Sequence, residues 1–122
     1  MKKILIVDDD DDFLEWVLTG LTQEAFELIS AASGKRALNL VHAARPDLVI
    51  LDIRLPDMDG FDVLKQIRET DASSAIPVIL VTGVFREIEL KEKGYQLGAD
   101  DFLVKPFSYE QLRARISRLL ER

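Results

Sequence analysis

Cysteine is absent from the 122 residues, and histidine occurs once, at His42. The first absence excludes a disulfide framework, thiol catalysis and the usual zinc ligand sets; the second excludes a multi-histidine metal site within one chain. Cations are outnumbered, with 16 Lys and Arg against 22 Asp and Glu and a formal net charge of −6. Affinity for polyanions rests on cationic groups that displace counterions, so this balance argues against nucleic-acid binding and favours cations or basic partner surfaces. Long apolar runs are also missing. The longest uncharged stretch, 72–85, includes Ser73, Ser74 and Pro77, and it falls short of the ~20 apolar residues that span a bilayer. The apolar run after Lys2 and Lys3 stops at Asp8, too early for a secretory signal. A soluble, cytoplasmic protein without membrane contact is expected.

Hydrophobic residues make up 48% of the chain, enough for one ordinary core, and the length predicts a single domain over residues 1–122. Four short apolar runs stand out, at 4–7, 48–51, 78–81 and 102–104. Each is continuous rather than alternating, as in strands covered on both faces of a parallel sheet. A weaker run, 27–31, suits an edge strand. Between them the period becomes helical: Phe13, Val17 and Leu21; Ala37, Leu38 and Val41; Phe61, Leu64 and Ile67; and Leu112, Ile116, Leu119 and Leu120. Ser108 with Gln111 predicts a capping box for the last helix, and Phe107 a staple onto Leu112. A further helix near 86–97 has its apolar residues scattered around the wheel and is expected to be the least firmly packed. Strand and helix thus alternate five times, which predicts an α/β domain with a doubly wound, five-stranded parallel sheet in the flavodoxin-like order 2-1-3-4-5.

In that topology ligands sit at the carboxyl ends of the first and third strands, where the winding reverses. Asp8 and Asp9 follow the first strand, Asp52 the third, Thr82 the fourth, and Lys105 with Pro106 the fifth. Three carboxylates converging there would repel by roughly 3 kcal/mol per pair at about 5 Å and an effective dielectric near 20. A hard divalent cation such as Mg²⁺, for which Mn²⁺ could substitute, is the simplest remedy. The rest makes sense if the missing ligand is a phosphoryl group. Asp52 is the candidate nucleophile, Lys105 neutralises charge on the equatorial oxygens, and Thr82 donates a hydrogen bond.

The segments Ile4 to Asp10, Leu48 to Gly60, Val78 to Gly83 and Gly98 to Phe107, in this order and spacing, resemble the receiver domains of two-component response regulators. The resemblance implies a phosphorylation-activated switch in which Asp52 accepts a phosphoryl group from a sensor histidine kinase or phosphotransfer protein. It implies metal binding by Asp8, Asp9, Asp52 and the backbone carbonyl of Arg54, with Asp9 the direct ligand and Asp8 acting partly through water. It further implies Thr82 and Lys105 on the phosphoryl oxygens, a cis Lys105–Pro106 peptide, and Arg54 and Val84 bordering the attacking water. The switch would run from Thr82 to Phe102, whose ring rotates and reshapes the face made by the fourth helix, fifth strand and fifth helix. Phenylalanine stands at Phe102 where tyrosine is commoner, so the ring is expected inward even without phosphate; the alternative is a static core residue. Lys91, Asp101 and Arg115 resemble charges on the dimer face of receivers joined to winged-helix domains, although Gln111 replaces a usual acid, which makes a homodimer through that face a further expectation.

Simpler readings apply elsewhere. Asp10 suits a helix cap, and Asp11 and Asp12 an acidic helix start. Asp57, Asp59 and Gly60 are expected to shape the loop and cap the third helix. His42 reads as a surface residue near a helix end, and Trp16 and Tyr95 as packing or partner contacts. Two rival functions use similar groups. An aspartate-dependent phosphohydrolase would usually need an acid two residues beyond the nucleophile, where Arg54 stands; a non-phosphorylated interaction module would not need the full constellation. The domain is therefore expected to assist only its own phosphorylation and dephosphorylation.

Overall fold

The computed structural model describes residues 1–83 and 87–122, except for the side chains of Glu87 and Ile88. Five strands, β1 (Lys2–Val7), β2 (Phe26–Ala31), β3 (Leu48–Asp52), β4 (Val78–Thr82) and β5 (Asp101–Val104), alternate with α1 (Asp11–Leu21), α2 (Gly34–Ala44), α3 (Gly60–Glu69), α4 (Glu87–Gln96) and α5 (Tyr109–Glu121). All strand pairs are parallel, in the order β2-β1-β3-β4-β5. The expected doubly wound architecture is the observed one.

The continuous apolar runs serve two cores at once. Ile4, Ile6, Leu48, Ile50, Ile79, Val81 and Leu103 face Val17 and Leu21 of α1 and Leu112, Ile116 and Leu119 of α5. Their neighbours Leu5, Val7, Val49, Leu51, Val78, Leu80 and Phe102 face Ala37 and Val41 of α2 and Phe61, Val63, Leu64 and Ile67 of α3. Because successive side chains point to opposite faces, such a strand must be apolar at every position. Edge strand β2 buries only Ala31 fully, which explains its weaker signal. Helix α4 contributes half-buried Leu90, with Leu97 just beyond its end; most of its other described side chains are exposed. The expected start of this helix at Arg86 lies outside the described residues.

Local chemistry fixes where the helices begin. Asp10 caps α1, accepting from the N–H groups of Asp12 and Phe13, and Ser33 caps α2. Ser108 and Gln111 form the reciprocal capping box of α5, which satisfies two of its otherwise unpaired donors. Phe107 joins the core beneath α1 and α5 that contains Leu112, with its ring edge-on to Phe13 at 6.0 Å. Asp59 caps α3, as expected, through the Phe61 N–H at 2.8 Å. Asp57 corrects the sequence reading: its carboxylate accepts from Gly34 at 2.8 Å and Lys35 at 2.9 Å, at the start of α2 rather than α3. Those two donors hold the Asp57 carboxyl below its ordinary range. Gly60 is needed for a close approach, since a Cβ there would lie 2.3 Å from the Asp52 carbonyl oxygen and 2.7 Å from Ile53 Cα. The start of α3 is thereby pressed onto the end of β3, next to the candidate site.

Candidate functional site

Parallel register brings three strand ends together. Val7 pairs with Leu51, Asp52 with Val81, and Thr82 with Val104, so Asp8, Asp52, Thr82 and Lys105 emerge at one edge of the sheet. The Lys105 N–H extends the ladder to the Thr82 carbonyl at 2.7 Å. Asp8 is 1% exposed and Asp52 9%, which is low for two acids and calls for partners.

Each carboxylate solves the problem in the same way. Asp8 turns Oδ1 to the Asp10 N–H at 2.9 Å, and Asp52 turns Oδ1 to the Arg54 N–H at 2.8 Å. Their Oδ2 atoms share one cation: Lys105 Nζ donates to Asp8 at 2.7 Å and to Asp52 at 3.2 Å. The ammonium also lies 3.9 Å from the centroid of the Phe13 ring. Burial raises the Asp52 pKa to about 6, with further upward pressure from Asp8; the Arg54 N–H and the Lys105 charge oppose this. Burial would lower the Lys105 pKa, but its hydrogen bond to Asp8 and the charges of Asp52 and Asp8 outweigh it and hold it above the ordinary lysine value.

Among the described residues, the carboxylates of Asp8 and Asp52 share one ammonium, one cation for two acids in a largely buried site. That donor set suits a hard cation that retains several waters. Among the described residues no three acidic or histidine side chains are gathered as a ready metal cluster. Asp9, next to Asp8 in the chain, is exposed and has no hydrogen bond or ion pair among the described residues. The arrangement fits Mg²⁺ held by a few protein oxygens and water rather than an all-protein cage. When bound, the ion would supply positive charge to phosphoryl oxygens.

Thr82 is buried at the end of β4, with the Lys105 strand beside it. Phe102 is buried in the core under α2 and α3, with Gly94 of α4 close to its ring. Arg54 is exposed and bridges in antiparallel fashion to Asp59, closing the loop after β3. The Lys105–Pro106 peptide is cis. Val84 lies outside the described residues.

Asp101, placed by the sequence among the charges of an exposed face, is buried. Its Oδ1 accepts from Arg115 and from the Phe102 N–H, and its Oδ2 accepts from Arg118 at 2.6 Å. Lys91 is exposed and Gln111 is engaged in the α5 capping box. Sequence reading assigns Phe13 only to a helix face and misses its contact with Lys105. An aromatic residue one turn beyond the acidic pair is the available signal.

Comparison with known proteins agrees with this geometry. Residues 4–117 match the response regulator receiver domain. The chain is 45% identical over 120 residues to the probable transcriptional regulatory protein SilR of Salmonella typhimurium, covering 98% of this chain and 51% of that protein. Against the transcriptional regulatory protein CusR of Escherichia coli the identity is 41%, over 98% of this chain and 52% of CusR. The chain thus spans about half the length of these curated relatives. A putative response regulator from Chloroflexus aurantiacus superposes with a TM-score of 0.93 at 35% identity, covering 99% of this chain and 98% of that one. Chemotaxis protein CheY4 of Vibrio cholerae gives 0.91 at 34% identity, over 98% and 99% of the two chains. Buried acids around a strand-end lysine, the β2-β1-β3-β4-β5 order and these likenesses together make the chain a member of the response regulator receiver domain family of two-component systems.

Proposed function

We propose that Asp52 is the phosphoacceptor of a switch that takes its phosphoryl group from a sensor histidine kinase or a phosphotransfer protein. The observation that carries this reading is the single Lys105 ammonium shared by the Oδ2 atoms of Asp8 and Asp52. A carboxylate oxygen of Asp52 attacks phosphorus and forms the acyl phosphate, while the bond from phosphorus to the donor nitrogen breaks and its electron pair leaves with the imidazole. No general base is needed, because the nucleophile reacts as its carboxylate. Lys105 and the Thr82 hydroxyl meet the charge on the equatorial oxygens. Asp8, Asp9, Asp52 and the Arg54 carbonyl would hold Mg²⁺, with Mn²⁺ as a substitute. Reversal is hydrolytic: water attacks phosphorus, the Asp52–phosphorus linkage opens, and inorganic phosphate departs. Both steps occur on the domain itself, so it releases no metabolic product.

Readout follows the path from Thr82 to Phe102 and on to the face formed by α4, β5 and α5. Curated relatives are transcriptional regulators about twice this length, so an output function joined to residues 1–122 as one receiver unit accords with the family. Two copies would pair through the α4–β5–α5 face, where Asp101 is met by Arg115 and Arg118 of its own chain. With acetyl phosphate and Mg²⁺, the intact chain is expected to gain the mass of one phosphoryl group, located by peptide mapping at Asp52. An Asp52→Asn chain that gained the same mass at the same rate would overturn the assignment.

A further inference from the structure

We infer that Phe13 is a positioning residue for phosphoryl transfer, its ring face holding the Lys105 ammonium in place while the carboxylates around it change partners. The inference rests on the Asp52 phosphoacceptor reading. Lys105 Nζ meets Asp8 Oδ2 at 2.7 Å, Asp52 Oδ2 at 3.2 Å and the Phe13 ring centroid at 3.9 Å. The two carboxylates are the groups that take up a divalent ion and the phosphoryl group, so their attraction for the ammonium is diverted during the reaction. The ring is not. Its quadrupole attracts a cation without neutralising it, leaving the full Lys105 charge for the phosphoryl oxygens.

The ring is itself well held. Asp10 fixes the start of α1 through the Phe13 N–H at 3.3 Å. Phe107, two residues beyond Lys105 across the cis Pro106 peptide, sets its ring edge-on to Phe13 with centroids 6.0 Å apart and planes at 81°. Trp16 completes the group, 6.0 Å from Phe13 and 5.8 Å from Phe107. The same cluster thus ties the segment carrying Lys105 to α1 and supplies the surface on which the ammonium rests. An aliphatic side chain would fill the space, but it would not attract the charge.

Phe13→Leu keeps apolar bulk and removes the π face; Phe13→Tyr keeps both. With acetyl phosphate as donor, the Asp52 carboxylate forms its bond to phosphorus as the bond from phosphorus to the acetate oxygen breaks and acetate leaves. At subsaturating donor and fixed Mg²⁺, Phe13→Leu is expected to be phosphorylated about three- to tenfold more slowly than wild type, the scale of one cation–π contact, while Phe13→Tyr stays within about twofold of wild type by the same measure. Without donor, the Lys105 ε-methylene protons should resonate upfield in wild type and Phe13→Tyr and move downfield in Phe13→Leu. Urea melts establish that each chain is folded during the rate measurement. A Phe13→Leu rate equal to wild type, a Phe13→Tyr rate as slow as Phe13→Leu, or Lys105 resonances unmoved by the leucine overturns the inference. A wild-type chain that gains no phosphoryl group defeats the underlying Asp52 reading, and the donor-free resonances distinguish that failure from loss of the ring contact.

Discussion

Removing the charge of Asp52 is expected to make the metal-free fold more stable. Burial lifts the Asp52 pKa from 3.8 to about 6. A carboxyl with a raised folded-state value binds its proton more tightly folded than unfolded, so stability falls as pH climbs from about 4 to 6. Two units at about 1.4 kcal/mol each place the neutral-pH penalty near 3 kcal/mol. Asparagine mimics the protonated acid in shape and still accepts from the Arg54 N–H, and Lys105 keeps Asp8 at 2.7 Å. Asp52→Asn should therefore gain about 3 kcal/mol at pH 7.5 in chelator, which for a chain of this length raises the melting temperature by about 10 °C. The difference should shrink through pH 5 to a small fraction at pH 4 and vanish only below about pH 3, where wild-type Asp52 is protonated in both states. Added Mg²⁺ should narrow the gap from the other side, because a ligand of the folded state stabilises by mass action and wild type binds it better. Urea melts across pH 4 to 7.5, with and without Mg²⁺, measure all three effects. A variant less stable than wild type at pH 7.5, or a gain that persists unchanged at pH 4, would refute the reasoning.

Substitutions at two further positions test how the fold supports the site. Gly60→Ala would set its Cβ against the backbone at the end of β3, where no side chain can swing aside; a loss of about 2 kcal/mol in urea melts is expected, and unchanged stability would show that α3 shifts freely. Arg68 donates to the Gly98 carbonyl at 2.9 Å, the Ile76 carbonyl at 2.6 Å and Asp100 at 2.9 Å. Arg68→Met should cost about 1–2 kcal/mol by leaving partly buried acceptors unmet, and Arg68→Lys should recover little of it because an ammonium cannot reproduce the fork; full recovery by lysine would refute that account.

Legibility in the sequence tracks the range over which each feature is determined. Strands β1, β3 and β4 are readable because residues such as Ile50 and Leu51 face different cores and both must be apolar. Asp8, Asp52, Thr82 and Lys105 are readable because a parallel sheet gathers the carboxyl-terminal ends of its strands along one edge. The Asp10 cap and the α5 capping box involve neighbours along the chain, so they too can be seen in advance. Asp57 is misread from sequence because its acceptor role is met by Gly34 and Lys35, 23 and 22 residues away. Asp101 looks like a surface charge because nothing in its immediate context reveals that Arg115 and Arg118 fold back over it. Phe13 reads as helix face for the same reason: its contact with Lys105 depends on the rotation of α1 against a segment more than 90 residues distant.

These long-range details bear most directly on the chemistry. Among the described residues Asp8 and Asp52 have one cation between them, whereas a fold selected only for stability would replace one acid by an amide, since unmatched charge in a buried site is unfavourable. Instead, one lysine is divided between two acids and its open side rests on a neutral ring. On the proposed reading, the remaining negative charge would attract a divalent ion, and the Lys105 charge held on the ring would be left for the phosphoryl oxygens. The instability expected of ionised Asp52 and its proposed reactivity toward phosphorus thus share one cause: a carboxylate kept charged where burial favours the neutral acid.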